Sequence, residues 1–329
     1  MLKEIYGDMP GERIQVAFGE RLLAYGFGMY HPLNRTRTSV FEEKFRALLS
    51  EQPGLIEVIE PEKCEEEQVA LFHTPEYIRF VKLACSPGSK VTYLDYGDTP
   101  AYPNCFEDAC SVVGTTLKLL NSIASGKVRR AFSPVGGLHH ATRNAAGGFC
   151  IFNDIGVAIE YAFRFLGYGS IAYVDIDAHH GDGVYYEFEE DPRVIFFDIH
   201  QDGRTLYPGT GFEHERGKGE AIGRKMNIPL PPRSGDSQFF SSFERGLEFL
   251  RSFDFDLIIF QCGADGLAGD PLTDLRYSSA AHKFAATSLV KLSEEKCGGR
   301  ILALGGGGYN PQNVGDAWIT VISVLAGLQ

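Results

Sequence analysis

Short apolar runs recur along the chain at 56–59, 130–133, 171–177, 194–199, 257–262 and 301–304. Each has the length of a strand and almost no polar position, the pattern of strands buried on both faces of a parallel sheet. Between and beyond them, 39–49, 107–123, 155–165, 238–253, 280–292 and 311–325 carry apolar residues at helical spacing. The last stretch opens with Asn310 as an N-cap and Pro311 at the first helical position. Strands alternating with helices predict an α/β fold, a three-layer sandwich around a mainly parallel central sheet. The pattern is even from end to end, with no repeat, low-complexity segment or linker, so one domain is expected over residues 1–329.

In open α/β sheets, ligands bind outside the carboxyl ends of the strands. The segments that follow five of the apolar runs are 134–140, 175–182, 198–200, 263–270 and 305–310. Nearly all the unusual polar chemistry of the chain falls in these five places.

Composition narrows the class. The chain has 329 residues, 44% hydrophobic and 22% charged, which excludes a disordered or fibrous protein. A net charge of −12 carries no basic footprint for nucleic acid, so no nucleic-acid partner is expected. No apolar run approaches the roughly 18 residues of a membrane helix. The start, MLKEIYGDMPGER, lacks the apolar core of a secretory signal, which points to a cytoplasmic protein. Seven cysteines, an odd number without a C-x-x-C pair, read as reduced, buried thiols in that setting.

The richest segment is Asp175-Ile176-Asp177-Ala178-His179-His180-Gly181-Asp182-Gly183. Alternation along a strand predicts that Asp175, Asp177 and His179 share one face at its end. Carboxylates entering an apolar strand need compensation, and a divalent metal supplies it. A third ligand is needed, with one position left open for chemistry. Asp265, at the end of the apolar run 257–262, is the candidate, with a helix N-cap as its competing reading. Asp270, in a Gly-Asp-Pro sequence, reads as a turn residue. His139 and His140 follow Gly136-Gly137-Leu138 and read as a general acid/base pair, with Asp175 and Asp182 available to accept imidazole N–H groups. Four glycines, 305–308, precede Tyr309 and are expected to give that side chain room and mobility. Its hydroxyl could donate to an oxyanion; the alternative is a packed core tyrosine. There is no G-x-S-x-G elbow and no Walker loop.

From about Tyr25 onward these residues resemble the zinc-dependent histone deacetylase superfamily, in the arginase–deacetylase fold, and most of all its prokaryotic acetoin-utilisation type. The motifs are Gly-Gly-Leu-His-His-Ala (136–141), Gly-Gly-Phe-Cys-Ile-Phe-Asn-Asp (147–154) and Asp-Ile-Asp-Ala-His-His-Gly-Asp-Gly (175–183). To these are added Tyr-Pro-Gly-Thr-Gly (207–211), Gly-Ala-Asp-Gly-Leu-Ala-Gly-Asp-Pro-Leu (263–272) and Gly-Gly-Gly-Gly-Tyr-Asn (305–310). The resemblance implies metal ligation by Asp177, His179 and Asp265, pairing of His139 with Asp175 and of His140 with Asp182, and a carbonyl-polarising Tyr309. It also implies an acyl-lysine channel flanked by Phe149 and Tyr207, with Leu272 at its mouth. Asp98 corresponds to a rim carboxylate for the substrate backbone, Gly148 to a backbone contact with the substrate amide, and Arg37 to an arginine behind the metal in an internal cavity. Structural K+ or Na+ is implied near Asp175, Asp177, His179 and Asp198, and at a second loop near Phe188, Asp191 and Val194. The chain departs from the family pattern at Met29-Tyr30 before His31-Pro32, at Tyr207 where phenylalanine is usual, and at Asp198-Ile199-His200-Gln201.

The expected activity is removal of an acetyl or similar acyl group from a lysine ε-amine by metal-activated water, with Zn2+ or Fe2+ as the ion. The expected partner is an acylated protein or a small acylated amine, and no membrane. Competing readings are an acetylpolyamine deacetylase on the same site, an arginase-like ureohydrolase with two metals, and a non-catalytic acyl-lysine binder. The sequence leaves the oligomeric state open.

Overall fold

The computed structural model describes residues 11–328. The expectation of no secretory signal rests mainly on the first ten residues, which lie outside the described ones. The apolar runs pair into one eight-stranded sheet: β1 (Ile14–Ala17), β2 (Ile56–Ile59), β3 (Arg130–Ser133), β4 (Ile171–Asp175), β5 (Val194–Gln201), β6 (Lys225–Leu230), β7 (Leu257–Gln261) and β8 (Ile301–Leu304). Their order is β2-β1-β3-β8-β7-β4-β5-β6, and every pairing is parallel.

Alternation along the strands builds two cores. On β4, Ile171 and Tyr173 face one side, and Ala172 and Val174 the other. The first side is covered by α2 (Pro75–Ala84), α3 (Cys105–Ala124) and α4 (Asp154–Phe165). The second is covered by α1 (Ser39–Glu51), α6 (Asp236–Arg251), α7 (Ser279–Cys297) and α8 (Pro311–Leu325). A single-turn helix, α5 (Asp182–Tyr185), lies between β4 and β5. The expected three-layer α/β architecture is therefore the observed one. Capping follows the sequence as well: Asn310 accepts the Gln312 N–H, with Pro311 next to it, and Asn153 accepts the Gly156 N–H to open α4. Among the described residues no helix is long and apolar enough to cross a membrane.

Three expectations are corrected. First, β4 ends at Asp175, so Asp175, Asp177 and His179 do not alternate along one strand face. The chain turns there, with the Asp177 carboxylate accepting the His179 N–H. Second, two strands were not foreseen. β1 reads Ile-Gln-Val-Ala and β6 reads Lys-Met-Asn-Ile-Pro-Leu, and their polar residues break the apolar signal. Pro229 is tolerated because β6 is an edge strand. Third, the cysteines are not all thiols. Cys85, after α2, and Cys105, which opens α3, form a disulfide across a sequence separation of 20 residues. The intervening loop returns the chain to its starting point, which spacing alone does not reveal. Cys64, Cys110, Cys150, Cys262 and Cys297 are free and buried.

Candidate active site

The carboxyl ends of β3, β4, β7 and β8 converge on one buried cluster. Asp177 and His179 come from the turn after β4, and Asp265 from the loop after β7. One ligand atom from each lies within 4.8 Å of the others. The His179 Nδ1 sits 3.1 Å from Asp177 Oδ1 and 2.9 Å from Asp265 Oδ2. Asp265 caps no helix; its Oδ1 accepts the Ala178 N–H. All three side chains are buried, and among the described residues neither aspartate has a lysine or arginine ion-pair partner. Burial opposes protonation of the His179 imidazole, yet the two carboxylates lift its pKa to about 10. Burial and the neighbouring Asp177 push Asp265 up to about 7. Two carboxylates and an imidazole nitrogen, converging with no lysine or arginine ion pair among the described residues, fit a divalent metal such as zinc.

The histidine pair stands beside this cluster. His139 Nδ1 meets Asp175 Oδ2 at 2.8 Å, and His140 Nδ1 meets Asp182 Oδ1 at 2.6 Å. Their Nε2 atoms face each other at 3.1 Å. Burial works against a charge on His139, but Asp175 and Asp177 outweigh it and raise its pKa to about 9. His140 is lowered, first by burial and then by the charge of His139. A charged His139 therefore donates its Nε2–H to the unprotonated Nε2 of His140, whose own N–H points to Asp182.

Close backbone approach explains the glycines. A Cβ on Gly148, at φ +51°, would lie 2.3 Å from the His140 ring, and one on Gly307 would lie 2.5 Å from Asp265 Oδ2. A Cβ on Gly305 would meet the Pro134 carbonyl at 2.2 Å, and one on Gly306 would meet Gln261 at 2.3 Å. The glycine run is therefore fitted tightly against the site. Arg37 clamps the run, donating to the carbonyls of Gly306 (2.6 Å) and Gly308 (2.9 Å) with its guanidinium over Trp318. Tyr309 follows, its N–H bound to Asp270 Oδ2 at 2.8 Å, so Asp270 does more than close a turn.

His139, His140, Phe149, Asp177, Gly307 and Tyr309 line a cavity of about 20 Å³, room for about one water. Outside it lies a groove of about 400 Å³ that includes Asp95, Asp98, His140, Asp182 and Tyr207. Phe149 is held at φ +69°, rare for an aromatic residue, by Tyr25, which donates to its carbonyl, and by Thr99, which accepts its N–H. Tyr207 stands edge-on to His140, ring centroids 5.1 Å apart. His31 bonds the Asp98 carbonyl and packs on Phe149, while Met29 and Tyr30 project into solvent. Leu272 is half-buried and lines neither space; its N–H goes to Asp270.

Three contributors were not singled out from sequence. Gln261 ends β7, donates to Asp177 Oδ2 at 2.8 Å and accepts the Gly263 N–H at 2.7 Å. An amide closing an apolar run was the available signal. Asp154 opens α4 and accepts the N–H groups of Gly137 and Leu138, which holds the loop before the histidines. Asp95 accepts three successive backbone N–H groups, from Gly97, Asp98 and Thr99, and shapes the rim.

The two cation regions differ. Asp175 and Asp198 are register partners on β4 and β5, both fully buried. Asp198 is engaged by His200 Nδ1 (2.7 Å) and by the Gly181 N–H (2.9 Å). Near Phe188, Asp191 and Val194 the expected monovalent ion does not fit, because the Lys225 ammonium already donates to the carbonyls of Asp191 and Val194.

A parallel sheet whose strand ends gather this buried Asp-His-Asp cluster, a histidine pair and a tyrosine defines a deacetylase-type amide hydrolase. Residues 31–325 match the histone deacetylase domain, and the chain belongs to that family. It is 35% identical over 311 residues to the acetoin utilization protein AcuC of Bacillus subtilis (strain 168), covering 92% of this chain and 80% of that one. The AcuC of Staphylococcus xylosus is 32% identical over 321 residues, 95% of this chain and 82% of its own. Among solved structures, the HDA15 HD domain superposes with a TM-score of 0.86 at 28% identity, covering 96% of this chain and 89% of that one.

Proposed function

We propose that the chain removes an acetyl or similar acyl group from a lysine ε-amine, using a divalent ion, Zn2+ or Fe2+, held by Asp177, His179 and Asp265. One observation carries this reading: His140, Asp177 and Tyr309 line the same small cavity. When bound, such an ion supplies a Lewis acid for the acyl carbonyl and makes water nucleophilic at neutral pH. His140, oriented by Asp182, takes the proton of that water at Nε2 and returns it to the leaving amine. His139, paired with Asp175, stays charged and stabilises developing negative charge. The Tyr309 hydroxyl donates to the tetrahedral oxyanion. Phe149 and Tyr207 flank the aliphatic stem, the Gly148 backbone meets the amide, and Asp98 accepts N–H groups of the substrate backbone. A structural K+ or Na+ near Asp175, Asp177, His179 and Asp198 belongs to the same reading. So does a cytoplasmic location, although the Cys85–Cys105 disulfide argues for oxidising surroundings.

A second reading is favoured by Asp95, Asp98 and Asp182 in the entrance groove. Three carboxylates there suit a cationic acylated amine such as an acetylpolyamine. Acetate release from acetyl-lysine peptides and from acetylpolyamines at matched concentrations tests both. Faster turnover of the peptides supports the first reading, faster turnover of the polyamines replaces it with the second, and release from neither overturns both.

A further inference from the structure

Lys225 opens the edge strand β6, yet only 1% of it is exposed. Its ammonium donates to two backbone carbonyls, that of Asp191 at 2.9 Å and that of Val194. Among the described residues no carboxylate pairs with it within 4.0 Å. The nearest candidate, Asp191, turns its side chain to Arg193, which it meets at 2.6 Å, and offers Lys225 its carbonyl instead. A buried positive charge is ordinarily paired with a carboxylate. Here it is met by carbonyl dipoles from one loop, the way a protein holds a weakly hydrated monovalent cation. That loop leads from α5 into β5, the strand that carries Asp198 and His200 beneath the active site.

We propose that Lys225 is a built-in cation: its ammonium occupies the carbonyl site at Asp191 and Val194, so this loop needs no bound K+ or Na+. The lysine and the loop carbonyls come from one chain, so the donor to these carbonyls is present whatever the salt. The loop keeps its shape, and β5 its position, in media where an exchangeable ion would be lost. Removing the ammonium should leave the carbonyls without a partner and open the site to an external ion.

Thallium(I), a heavy substitute for potassium, tests this directly. Burial lowers the Lys225 pKa to about 7, against the pull of Asp191, so soaks are made at pH 6, where the amine is protonated. Crystals of the full chain should show no anomalous thallium peak at the Asp191 and Val194 carbonyls. Crystals of Lys225→Ala should show one. In parallel, replacing tetramethylammonium by potassium at constant ionic strength should raise the Tm of Lys225→Ala by several degrees more than that of the wild type. Thallium on those carbonyls in the wild type, with Lys225 displaced, would overturn the proposal. So would a Lys225→Ala protein that neither binds thallium there nor gains stability from potassium. If that variant does not fold, Lys225→Met, which keeps the aliphatic stem, is melted in the same two salts. The wild-type soak decides in either case.

Discussion

The Nε2 atoms of His139 and His140 lie 3.1 Å apart, each ring held from behind by its own aspartate. Two imidazolium rings cannot coexist at that distance, so the pair shares its protons unequally. The pKa of His139 is raised to about 9 and that of His140 is lowered. A general base needs an unprotonated Nε2 near neutral pH, and His140 supplies it because His139 carries the charge.

A pH prediction follows. The acid limb of kcat/KM in the wild type should lie below pH 6.5, the ordinary histidine value, since the pKa of His140 is depressed. His139→Asn removes the neighbouring charge, so the His140 pKa should rise and the acid limb should move to higher pH. A pH–rate profile of both proteins measures this. An acid limb that stays put or moves down in the variant contradicts the assignment of base and partner.

The rim should titrate as well. Burial, followed by hydrogen bonding and repulsion from Asp95, raises the Asp98 pKa to about 7. A raised carboxyl is neutral below that value and ionised above it. Binding that relies on ionised Asp98 should therefore tighten as pH rises from 6 to 8, seen as a falling KM. In Asp95→Asn the Asp98 pKa should drop, and the KM inflection should shift to lower pH. A KM profile for an acetyl-lysine peptide that is identical in the two proteins would dissociate Asp98 from substrate binding.

Gln261 should tune the metal site without ligating it. Gln261→Leu removes one of two N–H donors to Asp177 Oδ2, leaving that of Gly307, and deprives Gly263 N–H of its acceptor. Loss of such a supporting contact weakens metal affinity by about 10–100-fold. Competition with a chelator measures it. Unchanged affinity in a folded variant would reduce Gln261 to a packing residue.

These residues also show what the sequence reveals and what it hides. Asp265 was legible because a carboxylate closing an apolar strand stands out, and so was the run from Asp175 to Asp182. Gln261 closes the same strand four residues earlier, but an uncharged amide there is a weaker mark than a carboxylate. β1 and β6 were hidden for the opposite reason, as Gln15, Lys225 and Asn227 interrupt short runs that tertiary packing nevertheless buries. The four glycines before Tyr309 suggest room and mobility for its side chain, and nothing in their run signals how closely their own backbone packs on Pro134, Gln261 and the two carboxylates. Composition records that a side chain is missing and says nothing of what fills its space. The disulfide depends on where the loop between Cys85 and Cys105 returns, and no local pattern encodes that.

Tyr309→Phe separates an oxyanion donor from a packed ring. The backbone N–H bond to Asp270 and the ring contact with Phe149 survive the change. Metal content and Tm should stay as in the wild type, while kcat should fall on the order of 10²–10³-fold. KM should change less, because the bond strengthens as the carbonyl becomes tetrahedral. Steady-state kinetics with wild-type kcat in this variant would remove the hydroxyl from the reaction.

If one ion on Asp177, His179 and Asp265 makes this chain a deacetylase, activity should follow metal reconstitution. Metal-free protein is titrated with Zn2+, and separately with Fe2+ under anaerobic conditions, while acetate release from an acetyl-lysine peptide is followed. Turnover should be absent without metal and complete at one equivalent, with neither binding nor turnover in Asp265→Ala. Turnover by the metal-free protein, or a requirement for two equivalents, would contradict it.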